Sequence, residues 1–332
     1  MNNDKIINLL RTIGTEFLSG EQLAKKCGIS RTMVWKHIKS LEQDGFNIEA
    51  VPSQGYRIMT EPDILRKGDL LQGLKTRIIG REVHLLPSTD STNTHAMEIA
   101  SHGSPEGTVV VAETQTAGKG RLGRTWVSPR GNLYISIILR PNIPLHKAPL
   151  ITLMGAVSVA HALRTICNVQ AVIKWPNDII VSGKKISGLL TEMRAEQDRV
   201  KYIVLGIGIN VNIGRSALPA EIRVSATTLA EETGQRINRT LLLRQLFMEL
   251  ERWYRIFLSD AGGILREWEA LNMTIGNRVL VQGTGESFGG EAIGIDNEGR
   301  LIIKLDDGCF RPIAAGDVTL QPGQNSDSTL PI

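Results

Sequence analysis

Apolar positions near the start of the chain recur first at helical and then at strand spacing. Ile6, Leu9, Leu10 and Ile13 share one face over residues 4–13. Ser19 with Gln22 forms a capping box, and Leu23 and Ala24 carry the stripe to a stop at Gly28. Ser30 is placed to cap a third helix over 31–41, with Val34, Ile38 and Leu41 on one face and basic residues elsewhere. Strand patterning follows at 46–51 and 56–59 across the turn Pro52–Gly55, and 61–63 reads as a linker. Two short helices joined at a glycine, a basic second helix and a hairpin predict a winged helix-turn-helix over 1–64. Ser30, Arg31, Thr32, Trp35, Lys36 and Lys39, with Arg57 on the wing, are its candidate DNA contacts. A small helical docking domain is the competing reading.

From Thr76 onward short β-branched runs dominate, at 78–86, 109–114, 133–139, 171–175, 178–181, 186–193 and 201–213. Helical spacing before residue 230 is confined to 91–102 and 148–166; later helices are expected at 239–260 and 264–271. Several strands are separated by turns alone, such as Ser182-Gly183-Lys184, which predicts an α+β domain over 65–270 with a mixed, largely antiparallel sheet. Closely spaced strands and turns between 278 and 320, including a turn at 283–285, predict a small SH3-like β-barrel over 271–322. Residues 323–332 read as a disordered tail.

The pattern breaks at 118–124, where Gly118, Gly120 and Gly123 alternate with Lys119, Arg121 and Arg124 after a β-branched strand. Glycine permits close backbone approach and the cations supply charge, so an anion is the natural guest. The spacing matches the dinucleotide fingerprint G-x-G-x-x-G, but that motif opens a helix, and here turn residues and a strand follow. Between Glu113 and Asp178 no acidic residue occurs, while eight lysines and arginines do, which focuses positive potential on this region.

Composition adds bounds. With 332 residues, 42% hydrophobic, the chain has room for two or three cores. A net charge of +4 permits a nucleic-acid partner without establishing one. No signal-like segment opens the chain and no apolar run stands out as membrane-spanning, so a cytoplasmic protein without membrane partners is expected. Cys27, Cys167 and Cys309 lie far apart and read as three buried free thiols.

With these residues laid out, the chain resembles the bifunctional biotin-protein ligase and biotin operon repressor family. The match runs in order through the winged helix, Asp90-Ser91-Thr92-Asn93, Ala112 to Trp126, Lys174-Trp175-Pro176-Asn177-Asp178, Lys184 to Gly188, and Gly206 to Asn212, covering about residues 1–320. The resemblance implies a class II synthetase-like catalytic domain. It also implies a reaction in two steps: biotin and ATP give biotinoyl-adenylate, then a lysine of the biotin carboxyl carrier protein of acetyl-CoA carboxylase takes the biotinoyl group. A homodimer promoted by biotinoyl-AMP and pairing through the central domains, bound to palindromic operator DNA, is the implied repressor.

Carried over residue by residue, the resemblance implies a biotin pocket of Ser91, Thr92, Asn93, Gln115, Lys119, Gly120, Arg121, Lys185 and Gly188. Read alone, Ser91 to Asn93 equally suit simple helix capping. The nucleotide side is implied to be Arg121, Arg124, Trp126, Lys174, Asn177, Asp178, Lys185 and Asn210, with Asp178 available to Mg²⁺. Lys185, Arg121 and Lys119 are the implied catalytic cations. Lys119 stands where the family's fullest loop form has arginine, which exchanges a bidentate fork for a point charge. The adenine-facing loop near 213–227 lacks an aromatic residue, leaving Ile222 or Val224 to pack there. Other readings are a biotin-sensing transcription factor with little ligase activity, and a ligase for another acyl cofactor such as lipoate.

Overall fold

Polar caps and buried apolar stripes build the N-terminal unit as the pattern predicts. The structure, a computed structural model, describes residues 2–282 and 287–321; the turn expected at 283–285 and the tail expected at 323–332 lie outside the described residues. Two compact units divide it, residues 1–72 and 73–332. Helices α1 (Asn2–Ile13), α2 (Gly20–Cys27) and α3 (Arg31–Gln43) precede a hairpin of β1 (Asn47–Val51) and β2 (Gly55–Thr60). The capping box forms, with Gln22 N–H donating to Ser19 Oγ and Ser19 N–H to Gln22 Oε1. Gly28 ends α2 at φ 72°, a conformation that costs glycine little. Ile6, Leu10, Leu23, Val34, Ile38 and Leu41 form the core.

This first unit extends past the expected linker because of α4 (Lys67–Leu71), a short helix the pattern does not predict. Leu70 is fully buried, Arg66 pairs with Asp4, and Asp69 pairs with Arg11, so charge and burial tie residues 61–71 to α1.

The second unit is α+β. In order come β3 (Val83–Leu86), α5 (Thr92–Ser101), β4 (Val109–Ala112), β5 (Leu133–Leu139), α6 (Pro149–Cys167), β6 (Val172–Lys174), β7 (Asp178–Val181), β8 (Lys184–Glu196) and β9 (Arg199–Ile209). Helices α7 (Ala220–Arg223), α8 (Leu229–Thr233), α9 (Arg239–Ser259) and α10 (Ala261–Leu271) follow. The strands make one seven-stranded sheet, ordered β3-β4-β5-β9-β8-β7-β6, in which β3 and β4 run parallel and every other pair antiparallel. The strand expected from residue 78 starts only at 83. The Glu251 carboxylate of α9 takes the backbone N–H groups of Arg77, Ile78 and Ile79, diverting them from any ladder. The short α7 and α8 also lack a sequence signal, being under two full turns.

Residues 145–167 are in fact long and apolar enough by composition to cross a membrane, contrary to the sequence expectation; most of that stretch is buried inside the unit as α6. Cys27 and Cys167 are buried as expected, and burial pushes the Cys167 thiol up to about 11. Cys309 is exposed, a correction: it sits in a turn where its N–H bonds the Asp307 carboxylate.

The C-terminal strands are β10 (Arg278–Gln282), β11 (Ser287–Ile295), β12 (Leu301–Lys304), β13 (Phe310–Ile313) and β14 (Asp317–Leu320). They form an antiparallel sheet ordered β13-β12-β11-β10-β14, whose outer strands are not paired with each other among the described residues, so the expected closed barrel is not formed. Pro312 in β13 offers no ladder N–H, which suits an edge.

Candidate active site

Three strand glycines make the floor of the site. Gly188 lies opposite Gly208 on β8 and β9, and Leu190 opposite Gly206. A Cβ at Gly208 would sit 2.5 Å from the Trp126 indole, and one at Gly206 would sit 2.1 Å from Asn93 Oδ1. Glycine is therefore required at both positions for those side chains to lie on the sheet.

Trp126 thereby becomes a partition. On one side is a cavity of about 50 Å³ lined by Ser91, Thr92, Asn93, Gln115, Lys119, Gly120, Lys185 and Gly188. On the other is a cavity of about 510 Å³ lined by Arg121, Arg124, Lys174, Asn177, Asp178, Lys185 and Asn210. Trp126, Gly120 and Lys185 line both. The two groups of residues implied by the sequence thus gather on the two sides of one indole, except that Arg121, expected on both, lines only the larger cavity. The smaller cavity is below the usual range of ligand sites, roughly 300–1,000 Å³, so a guest must displace its lining.

Ser91 to Asn93 are buried at the start of α5, but the Ser91 side chain makes no capping bond there. Their side chains serve the pocket instead. Thr92 donates its N–H and its hydroxyl to Gln115 Oε1 at 2.8 and 3.1 Å, and Gln115 Nε2 donates to Ser128 at 2.8 Å. Asn93 donates to the Leu190 carbonyl and to Glu192, and accepts from Ser136.

The glycine loop is held in shape by its own backbone. Gly120 N–H bonds the Arg124 carbonyl and Trp126 N–H the Gly118 carbonyl. A Cβ at Gly118 would lie 2.4 Å from that Trp126 carbonyl, so closure of the loop demands glycine. At the tip, Leu122 and Gly123 have φ of 54° and 73°, and no α-helix begins there: a 3₁₀ turn leads onward to β5. The dinucleotide reading is excluded by that geometry.

The loop's arginines reach across the larger cavity. Arg121 donates to Asn177 Oδ1 at 3.0 Å and to the Gly316 carbonyl at 3.2 Å, and burial lowers its pKa from the ordinary guanidinium value. Arg124 pairs with Asp317 of β14. Gly316 and Asp317 carry no sequence signal for this role, because only the fold brings β14 beside the loop. A further cleft of about 230 Å³ lies between them, lined by Arg121, Arg124, Lys174, Asp178 and Asp317.

Lys185 is set by the β7–β8 hairpin. Its ammonium stands 2.5 Å from Asp178 Oδ1 and 5.5 Å from the centre of the Trp126 ring. Its backbone bonds Ser225 and Thr227, fixing the 225–227 segment beside the larger cavity. Ile222 lines that cavity, whereas Val224 is 78% exposed and does not. Asn210 is buried and donates to the Thr227 carbonyl. Asp178 is the one expected metal ligand, and no cluster of three or more His, Cys, Asp or Glu forms a metal cage among the described residues.

In the first unit, Arg31, Thr32 and Trp35 line a groove with the wing residues 50–55, and Trp35 is 53% exposed. Lys36 is also exposed, while Ser30 spends its hydroxyl accepting from Met33 N–H and Lys39 pairs with Glu42 at 2.6 Å. Arg57, a candidate DNA contact on the wing, is engaged within its own unit. It bonds Glu49, donates to the Thr15 carbonyl and stacks on Phe17, so it holds the hairpin to the helices.

Residues 85–210 match the biotin/lipoate A/B protein ligase family, residues 3–57 an HTH domain, and residues 274–320 the biotin protein ligase C-terminal domain. The bifunctional ligase/repressor BirA of Bacillus subtilis is 39% identical over 317 residues, 95% of this chain and 97% of that protein. The biotin--[acetyl-CoA-carboxylase] ligase of Mycobacterium tuberculosis is 30% identical over 272 residues, 78% of this chain and 98% of its own. Among solved structures, biotin protein ligase from Aquifex aeolicus in complex with biotin and ATP superposes with a TM-score of 0.63 at 31% identity, covering 73% of this chain and 100% of that one. With a ligase core divided by Trp126, a helix-turn-helix unit before it and near-complete coverage of a ligase/repressor, this chain belongs to the bifunctional biotin-protein ligase/repressor family.

Proposed function

We infer that this protein is an ATP-dependent biotin-protein ligase that also represses transcription in response to biotin. The observation that carries the reading is the shared position of Lys185, lining both cavities at their junction. The smaller cavity takes the biotin rings, with Ser91, Thr92, Gln115 and Gly188 around them and Lys119 and Gly120 over the entrance. The larger takes ATP, with Arg121, Arg124 and Lys174 toward its phosphates and Asn177, Asp178, Asn210 and Trp126 completing the wall.

Bringing a carboxylate against a triphosphate is opposed by charge. Lys185, Arg121 and Lys119 offset that repulsion and stabilise charge on the transferring group. A biotin carboxylate oxygen bonds to the α-phosphorus, the bond to the bridging oxygen breaks, and pyrophosphate leaves. Water exclusion by the glycine loop protects the mixed anhydride until a lysine amine of the carrier protein attacks its carbonyl carbon and AMP departs. Asp178 and Asp317 both line the larger cavity, which fits Mg²⁺ arriving with its nucleotide, since this ion is usually held by one or two carboxylates and substrate phosphates. Asp178 would hold it, and its charge would help neutralise the phosphates.

The acceptor is the biotin carboxyl carrier protein of acetyl-CoA carboxylase. The repressor is a homodimer of the adenylate-bound chain on palindromic operator DNA, reached by Ser30, Arg31, Thr32, Trp35, Lys36 and Lys39; Arg57 supports the wing. The protein works in the cytoplasm.

One sample tests the reading. With biotin, ATP and Mg²⁺, it transfers labelled biotin to a carrier domain and shifts a palindromic operator fragment in a gel. No transfer contradicts the ligase, and no sequence-selective shift contradicts the repressor.

A further inference from the structure

Beneath the smaller cavity runs a chain of polar side chains that ends on a carboxylate remote from the glycine loop. Glu192 Oε2 accepts from Asn93 Nδ2 at 2.7 Å, and the Leu190 carbonyl takes the same amide at 3.2 Å. A carboxylate and a carbonyl only accept, so the Asn93 nitrogen must face them and its Oδ1 must face the opposite way. There Oδ1 lies 2.6 Å from Ser136 Oγ, and Ser136 Oγ lies 2.8 Å from Thr92 Oγ1. Ser136 is fully buried, so its single proton has these two neighbours and no solvent to serve.

That proton is shared unequally. The amide carbonyl is the nearer acceptor, and Thr92 has its own proton, committed to Gln115 Oε1 at 3.1 Å. Were the Asn93 amide reversed, its oxygen would face the Glu192 carboxylate and the Leu190 carbonyl, acceptor against acceptor, and Ser136 would lose its nearer acceptor. The Asn93 amide lies against Gly206, where any side chain would collide with it. The fold thus reserves this position for the amide.

We propose that Glu192 is a positioning residue for the biotin pocket: by orienting Asn93 it keeps the Asn93 carbonyl on Ser136, and so fixes the Ser136–Thr92 contact that holds the Thr92 side chain at the pocket wall. The inference rests on the assignment of the smaller cavity to biotin. It also reassigns Asn93 from direct ligand contact to support, because both ends of its amide are engaged by protein groups.

An exchange of charge tests it. Asn93→Asp sets two acceptors face to face and raises the KM for biotin about 10- to 100-fold, the range for leaving buried hydrogen-bonding groups mismatched, with the KM for ATP unchanged. Adding Glu192→Gln restores a donor between them and keeps the net charge, so the double variant returns to within about threefold of the parent, since a matched pair is remade. A general packing role predicts instead that both KM values and the melting temperature shift together without rescue. Failure of the folded double variant to recover, or an unchanged biotin KM in Asn93→Asp, overturns the proposal. If Asn93→Asp does not fold, Glu192→Ala carries the test, with a rise in biotin KM alone expected and no rise overturning it. A parent protein with no saturable dependence on biotin would instead overturn the assignment on which the inference rests.

Discussion

Individual side chains in this protein do their work in pairs whose second member comes from far along the sequence. Glu113, just after β4, is held by Arg239 at the start of α9, and neither side chain is more than 8% exposed. Arg239 also donates to the Asn132 carbonyl at the entry to β5. Arg239→Met would take from buried Glu113 its guanidinium partner and is expected to destabilise the fold by about 3–5 kcal/mol, measurable by urea denaturation. A loss below about 1 kcal/mol would mean that water or another group replaces the arginine. Much at this scale is legible in the sequence: Lys185, Gln115, Arg121 and Asn177, singled out from their motifs, all line the two cavities. What was not legible is partnership. Glu192, Ser136 and Asp317 look like ordinary strand residues until the register of β8, β5 and β14 brings them to the site, and only the fold sets Glu49 and Phe17 against Arg57.

At the scale of elements, the period-two and 3.6-residue patterns predict the long pieces because each buries a continuous face. Strand β5 is buried throughout and α9 buries Leu242, Leu246, Leu250, Trp253 and Phe257. Short elements escape for the converse reason. In α7 and α8, four and five residues long, too few side chains are present to display a period, and in 77–79 a carboxylate from α9 overrides a β-branched run. The barrel expectation fails at closure, which depends on the meeting of β13 and β14 rather than on either strand. Glycines 206 and 208, by contrast, announce themselves: glycine inside an apolar strand marks close approach by another group. Gly208→Ala would push the Trp126 indole off the floor, at a cost of about 1–3 kcal/mol in packing. Because Trp126 borders both cavities, KM should rise for biotin and for ATP together. A rise confined to one substrate would show that the indole is not a shared wall.

For the molecule as a whole, two chemistries meet in one chain. The first unit has the groove of Arg31, Thr32 and Trp35, and the second has the paired cavities around Trp126. Any effect of a ligand bound in the second unit on DNA affinity in the first requires that DNA affinity act back on ligand. The proposed function depends on carboxylate activation beside Lys185. Biotin-dependent exchange of labelled pyrophosphate into ATP reads that step without the carrier protein or DNA. The account predicts exchange in the parent that requires biotin, is not supported by lipoate, and falls by about 100-fold or more in Lys185→Ala, as expected when a charge-stabilising group is removed. Exchange unchanged in Lys185→Ala, or supported by lipoate in place of biotin, would contradict it.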